Sequence, residues 1–151
     1  MNLSKNFTVA ELSKSEAAIR QGLDNTPSMI VIDNLQALVD NILQPLREKF
    51  GSVIVTSGYR SPDVNKAIGG STTSDHCKGF AADFEVLGMD NRQLALYIKD
   101  NMKFTQLILE FYTGVPDSGW VHVSYDPKNL KNQSLTAVKV GGKTVYKQGI
   151  Q

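Results

Sequence analysis

The order of patterns along the chain predicts an α+β fold, with N-terminal helices packed on a mainly antiparallel sheet. Three observations carry that expectation. Leu35, Leu38, Val39, Ile42, Leu43 and Leu46 recur at helical spacing early in the chain. After Gly51 the period shortens to that of a strand, and alternating segments follow one another to the end. The tail, TAVKV-GG-KTVYK, has the pattern of a β-hairpin around a Gly-Gly turn. With 151 residues and no repeat, linker or low-complexity tract, residues 1–151 are expected to form one domain.

Each element has its own signal. Thr8, with Glu11 three residues on, forms a capping box ahead of a short helix running toward Arg20. Thr26 as N-cap and Pro27 at the first helical position open the second helix, whose last turn Pro45 should kink or shorten. The strand Ser52–Thr56 leads into a long polar loop, SGYRSPDVNKAIGGSTTSDHCKG, and a loop of such length in a compact domain is expected to be functional. Gly79 lets the chain turn out of that loop into a strand over Phe80–Val86. Asp90, with Gln93 three on, caps a helix to about Asn101 that turns Leu94, Ile98 and Met102 inward. Strands at Thr105–Phe111 and Trp120–Tyr125, joined by the loop TGVPDSG, complete the sheet ahead of the hairpin.

Composition narrows the function. Sixteen basic against fifteen acidic residues give a net charge of +1, which lacks the basic footprint of a nucleic-acid or membrane-surface binder. The single Cys77 rules out an intrachain disulfide framework. The N-terminal stretch has no apolar signal core, and no run is long enough to span a bilayer.

Alternation assigns faces to three strands. Ala82, Phe84 and Val86 oppose Ala81, Asp83 and Glu85; Val121, Val123 and Tyr125 oppose Trp120, His122 and Ser124; Leu107, Leu109 and Phe111 oppose Ile108 and Glu110. If these strands are neighbours, Asp83, His122 and Glu110 gather on one surface. The two histidines of the chain are His76, at the entrance to the Asp83 strand, and His122. Two imidazoles and a carboxylate suit zinc with one position left to water, a site able to support amide hydrolysis. Such a site needs a base: Glu110 is the candidate, with Asp117 in the connecting loop as the reserve. Glu85 is read as an acceptor behind a ligand histidine or as an exposed ion-pairing residue, and Tyr59 and Trp120 as cleft or packing aromatics.

The segments SGYRSPDVN at 57–65, GGSTTSDHCKGFAADFEV at 69–86, GMDNRQLA at 88–95, LILEF at 107–111 and WVHVSY at 120–125 resemble the M15 zinc peptidases. This is the family of D-alanyl-D-alanine carboxypeptidases and phage L-alanyl-D-glutamate endopeptidases, and the likeness is greatest to its small single-domain branch. The resemblance implies a hedgehog/DD-peptidase-like fold with His76, Asp83 and His122 as zinc ligands. It also implies that Arg60 holds a carboxylate or carbonyl of the substrate and that Ser74 hydrogen-bonds substrate or orients its loop. Many relatives carry an acidic base three residues before the last histidine, where this chain has Gly119.

The function so implied is zinc-dependent hydrolysis of peptidoglycan stem peptides, by a carboxypeptidase or an endopeptidase. The protein is expected to be a monomer made in the bacterial cytoplasm, phage-encoded in type, acting on the cell wall, with no nucleic-acid or membrane partner. Two alternatives stand beside it: a zinc-containing binding module without hydrolysis, and a cysteine hydrolase using Cys77 and His76.

Overall fold

The computed structural model describes residues 1–151. Six strands form one sheet in the order β1-β2-β4-β3-β5-β6: β1 (Val53–Ser57), β2 (Ala81–Val86), β3 (Gln106–Glu110), β4 (Trp120–Ser124), β5 (Gln133–Val140) and β6 (Lys143–Gln148). Every neighbouring pair is antiparallel except β3 and β5, which run parallel. The α+β expectation therefore holds. The hairpin β5–β6 turns at Gly141 and Gly142, both left-handed, as a tight two-residue turn requires.

The N-terminal helix is broken in two, α1 (Val9–Leu12) and α2 (Glu16–Gln21). Thr8 caps α1 by accepting from the Glu11 amide, but Ser13 Oγ then bonds back to the Val9 carbonyl and Ser15 caps a new helix through the Ala18 amide. Hydroxyl competition with the backbone accounts for the break. The next helix, α3 (Met29–Leu38), is capped by Ser28, which accepts from the Val31 amide, and not by Thr26. The Thr26 amide instead donates to Asp24.

Helix α3 runs through a π-helical turn at Val39–Leu43 into α4 (Gln44–Phe50). Pro45 thus neither shortens nor ends the helix. It has no amide to donate and its ring crowds the carbonyl four residues back, and the wide turn just before it, closed by Gln44 N–H to the Val39 carbonyl, absorbs that misfit. The apolar stripe Leu35 to Leu46 is buried as the spacing predicts.

This stripe packs with α6 (Asn91–Asn101), capped by Asp90, against one face of the sheet, formed by Ala82, Phe84, Val86, Leu107, Leu109, Val121 and Val123. The opposite face is left for the site. Phe111 departs from the predicted alternation: its φ of 59° swings the ring off the core face, and it packs with Ile108, Leu135 and Ala137 on the site side. The long polar loop contains structure of its own, α5 (Pro62–Ala67) capped by Ser61 and a 3-10 turn at Asp75–Lys78 capped by Ser74.

Candidate metal centre and active site

Sheet register assembles the site. Asp83 on β2 faces His122 on β4, which faces Ile108 on β3, while Glu110 faces Trp120 one step along. Asp83 Oδ1 lies 2.9 Å from His122 Nδ1 and 3.5 Å from His76 Nε2. One ligand atom from each of His76, Asp83 and His122 falls within 4.8 Å of the others, so the three could hold a metal ion.

His76 arrives from outside the sheet. It sits in the 3-10 turn that Ser74 caps, and Gly79, left-handed at φ 78°, closes the turn and sends the chain into β2. A side chain at Gly79 would meet the Val31 carbonyl at 2.8 Å, so glycine is required there for space as well as for φ. On the other side, β1 shifts register between Val55 and Ser57, and the Gly58 carbonyl beyond the shift lies 2.8 Å from His76 Nδ1. With a proton on Nδ1 donated to that carbonyl, Nε2 keeps its lone pair and points at Asp83. Gly58 is itself fixed by space, because a Cβ there would lie 2.2 Å from the Leu12 carbonyl oxygen.

Electrostatics suit a cation. Burial alone would raise the Asp83 carboxyl, but hydrogen bonds and charge from His122 and His76 outweigh it and hold the group well below the usual carboxylate range. Burial alone would lower His122; its bond to Asp83 and the negative charges around it raise it instead. An ionised carboxylate in the sheet with two imidazoles as its only ion-pairing partners is a donor set that a metal completes.

Glu110 moves in the opposite direction to Asp83. Burial raises its carboxyl, and the Asp83 charge adds to the effect against the smaller influence of His122, Trp120 and Arg60. Trp120 Nε1 donates to Glu110 Oε2 at 2.5 Å and fixes the carboxylate. These residues line a cleft of about 380 Å³ together with Arg60, Ser71, Thr73, Ser74, Gln106 and Tyr146. Arg60 forms no ion pair with Asp63; its Nη2 lies 3.4 Å from Ser74 Oγ, and its Nε is buried without a partner.

Other sequence expectations fall elsewhere. Asp117 is exposed and lines a separate depression with Ile54, Glu85 and Met89, away from the cleft. Glu85 accepts from Asn91 Nδ2 at 2.8 Å, and the same amide group donates to the Ser118 and Gly119 carbonyls. Asn91 thus ties α6 to β2 and to the loop before Trp120, and Glu85, its acceptor, is neither a partner of His76 or His122 nor an ion-pairing residue. Tyr59 is core, whereas Trp120 lines the cleft. Gly119 has no room for an acidic side chain: its φ is 62° and a Cβ would lie 2.0 Å from the Glu110 carbonyl oxygen. Burial raises the Cys77 thiol, and His76 faces Gly58 and Asp83. The Gly58 carbonyl and Tyr146 were not foreseen, the first because a backbone partner leaves no trace in residue type.

Fold and site together define an α+β protein with a two-histidine, one-carboxylate cluster lining a cleft of about 380 Å³. The family described as Peptidase M15 matches residues 5–124, and the chain belongs to it and is a peptidase by descent. The match takes in His76, Asp83, Glu110 and His122 and ends before β5. A search of the curated proteins returned no match.

Proposed function

We propose that the chain is a zinc-dependent peptidase that hydrolyses peptide bonds of bacterial peptidoglycan stem peptides, in the manner of a phage-type endolysin or a DD-carboxypeptidase, with residues 1–151 acting as one unit. The observation that carries this reading is the convergence of His76, Asp83 and His122 to within 4.8 Å in the same cleft as the half-buried Glu110. The donor set fits zinc: two neutral-capable imidazoles, one of them already oriented by a backbone carbonyl, and one ionised oxygen donor. Bound there, zinc supplies Lewis-acid polarisation of the scissile carbonyl and acidifies the attacking water.

The chain's own groups do the rest. Glu110, held by Trp120, takes a proton from the attacking water and delivers it to the leaving amine, so that hydroxyl ends on the acyl carbon and hydrogen on the nitrogen. Its partial burial, which raises the carboxyl, works in the direction that suits a group that must both accept and return a proton. Arg60, with no carboxylate of its own to pair with, offers its guanidinium to a carboxylate or carbonyl of the substrate, and Ser74 positions it. Stem peptides bring free carboxylates to such an arginine. A cleft of about 380 Å³ is of a size to hold the residues around one scissile bond. Action on the cell wall, without nucleic-acid or membrane partners and as a monomer, belongs to the same reading.

Glu110→Gln tests it. The variant should retain its zinc while hydrolysis of a stem pentapeptide, followed by mass spectrometry, falls by about 10²–10⁴-fold. Undiminished hydrolysis by the variant would remove Glu110 from the mechanism. A wild-type protein that holds zinc but never cleaves the peptide would be a binding module instead.

A further inference from the structure

The hairpin β5–β6 lies outside the family match, yet Tyr146 on β6 lines the metal cleft. Register explains how it reaches there. Tyr146 faces Ala137, Ala137 faces Glu110, and Glu110 faces Trp120, so four side chains form one row across the same face of the sheet. Ala137 is fully buried, in the cluster on which Phe111 packs, and Glu110 and Tyr146 on either side of it stand two strand spacings apart, about 10 Å. Of this cluster, Ile108 reaches the cleft as an apolar patch of its lining. Arg60, Ser71 and Ser74 form the facing wall.

Tyr146 is 55% exposed and belongs to neither apolar cluster of the fold. An aromatic ring held open at the edge of a cleft, with an apolar patch in the same lining, has packing to offer that the protein itself does not use. We propose that Tyr146 determines specificity: its ring is the wall against which a small aliphatic side chain next to the scissile bond packs, with Ile108 in the same cleft lining. This rests on the stem-peptide reading above and deepens it, since alanine-sized side chains flank the bonds of such peptides. Tyr146 stands two strands away from Glu110 and hydrogen-bonds neither to it nor to His76, Asp83 or His122, so it acts on binding and not on the proton transfers.

The test compares wild type, Tyr146→Ala and Tyr146→Phe, each zinc-loaded, on a synthetic pentapeptide, L-Ala-γ-D-Glu-L-Lys-D-Ala-D-Ala. Trp120 is the chain's single tryptophan and lines the cleft, so its emission reports occupancy independently of turnover. Tyr146→Ala should raise KM and the fluorescence Kd about tenfold, the scale of one aromatic contact, with kcat within about twofold of wild type. Tyr146→Phe should match wild type, and metal content and thermal midpoint should be the same in all three. Unchanged KM and Kd in Tyr146→Ala, with wild type still cleaving, would overturn the role of Tyr146 alone. Equal weakening in Tyr146→Phe would overturn it too, by assigning the contact to the hydroxyl. Wild type that neither binds nor cleaves the peptide would sink the stem-peptide reading and this inference with it.

Discussion

Asp83 and Glu110 stand on the same sheet face, and their surroundings drive them apart. Asp83 has two imidazoles within 3.5 Å and stays ionised, the form in which it could hold a metal ion. Glu110 has burial and the Asp83 charge against it, so its proton is held more tightly than on an ordinary glutamate. A base works unprotonated, and a cation bound by His76, Asp83 and His122 would draw the Glu110 pKa back down. In the metal-free protein the Glu110 carboxyl should therefore titrate above the ordinary glutamate value of about 4.3 in an NMR titration, and a value at or below it would contradict this account of its surroundings. Much of this was legible in the sequence, because residue type and period-2 alternation alone put Asp83, His122 and Glu110 on one face. The direction of the Trp120 indole, and the Phe111 ring turned by a positive φ, depend on local backbone geometry that alternation assumes to be regular.

At the scale of elements, the site depends on how three segments meet. The Gly58 carbonyl, delivered by the register shift in β1, fixes the His76 tautomer, and Gly58 can approach only because it has no side chain to strike the Leu12 carbonyl. Gly58→Ala should lower stability by about 1–3 kcal/mol in urea unfolding and weaken zinc binding by about 10–100-fold, since both the packing and the histidine's orienting partner are disturbed. Wild-type zinc affinity in a folded Gly58→Ala protein would show that the carbonyl does not orient the ligand. Helix and strand order was readable from period. What was not readable was competition among hydroxyls: Thr26 and Ser28 are both good caps, and Ser13 and Ser15 both interrupt a run that otherwise reads as one helix. Helix α5 escaped notice inside a polar loop although Ser61 and Pro62 mark its start.

For the whole molecule, the sheet separates tasks. One face is filled by α3, α4 and α6 and holds the fold together; the other carries the Asp83 and His122 cluster, Glu110 and the cleft. The family match covers the elements that build the metal centre, and the hairpin beyond it adds a wall. Without a metal, Asp83 is satisfied by a His122 whose proton is held more tightly than usual, so metal and proton compete for the same atoms. Metal dependence is thus the central claim, and the most direct measurement follows cleavage of purified peptidoglycan by mass spectrometry before chelation, after it, and after adding back zinc. Cleavage should disappear in the chelated protein and return with about one equivalent of zinc per chain, the stoichiometry of a single open three-ligand site. Protein verified free of metal that still digests the wall at the original rate would contradict it.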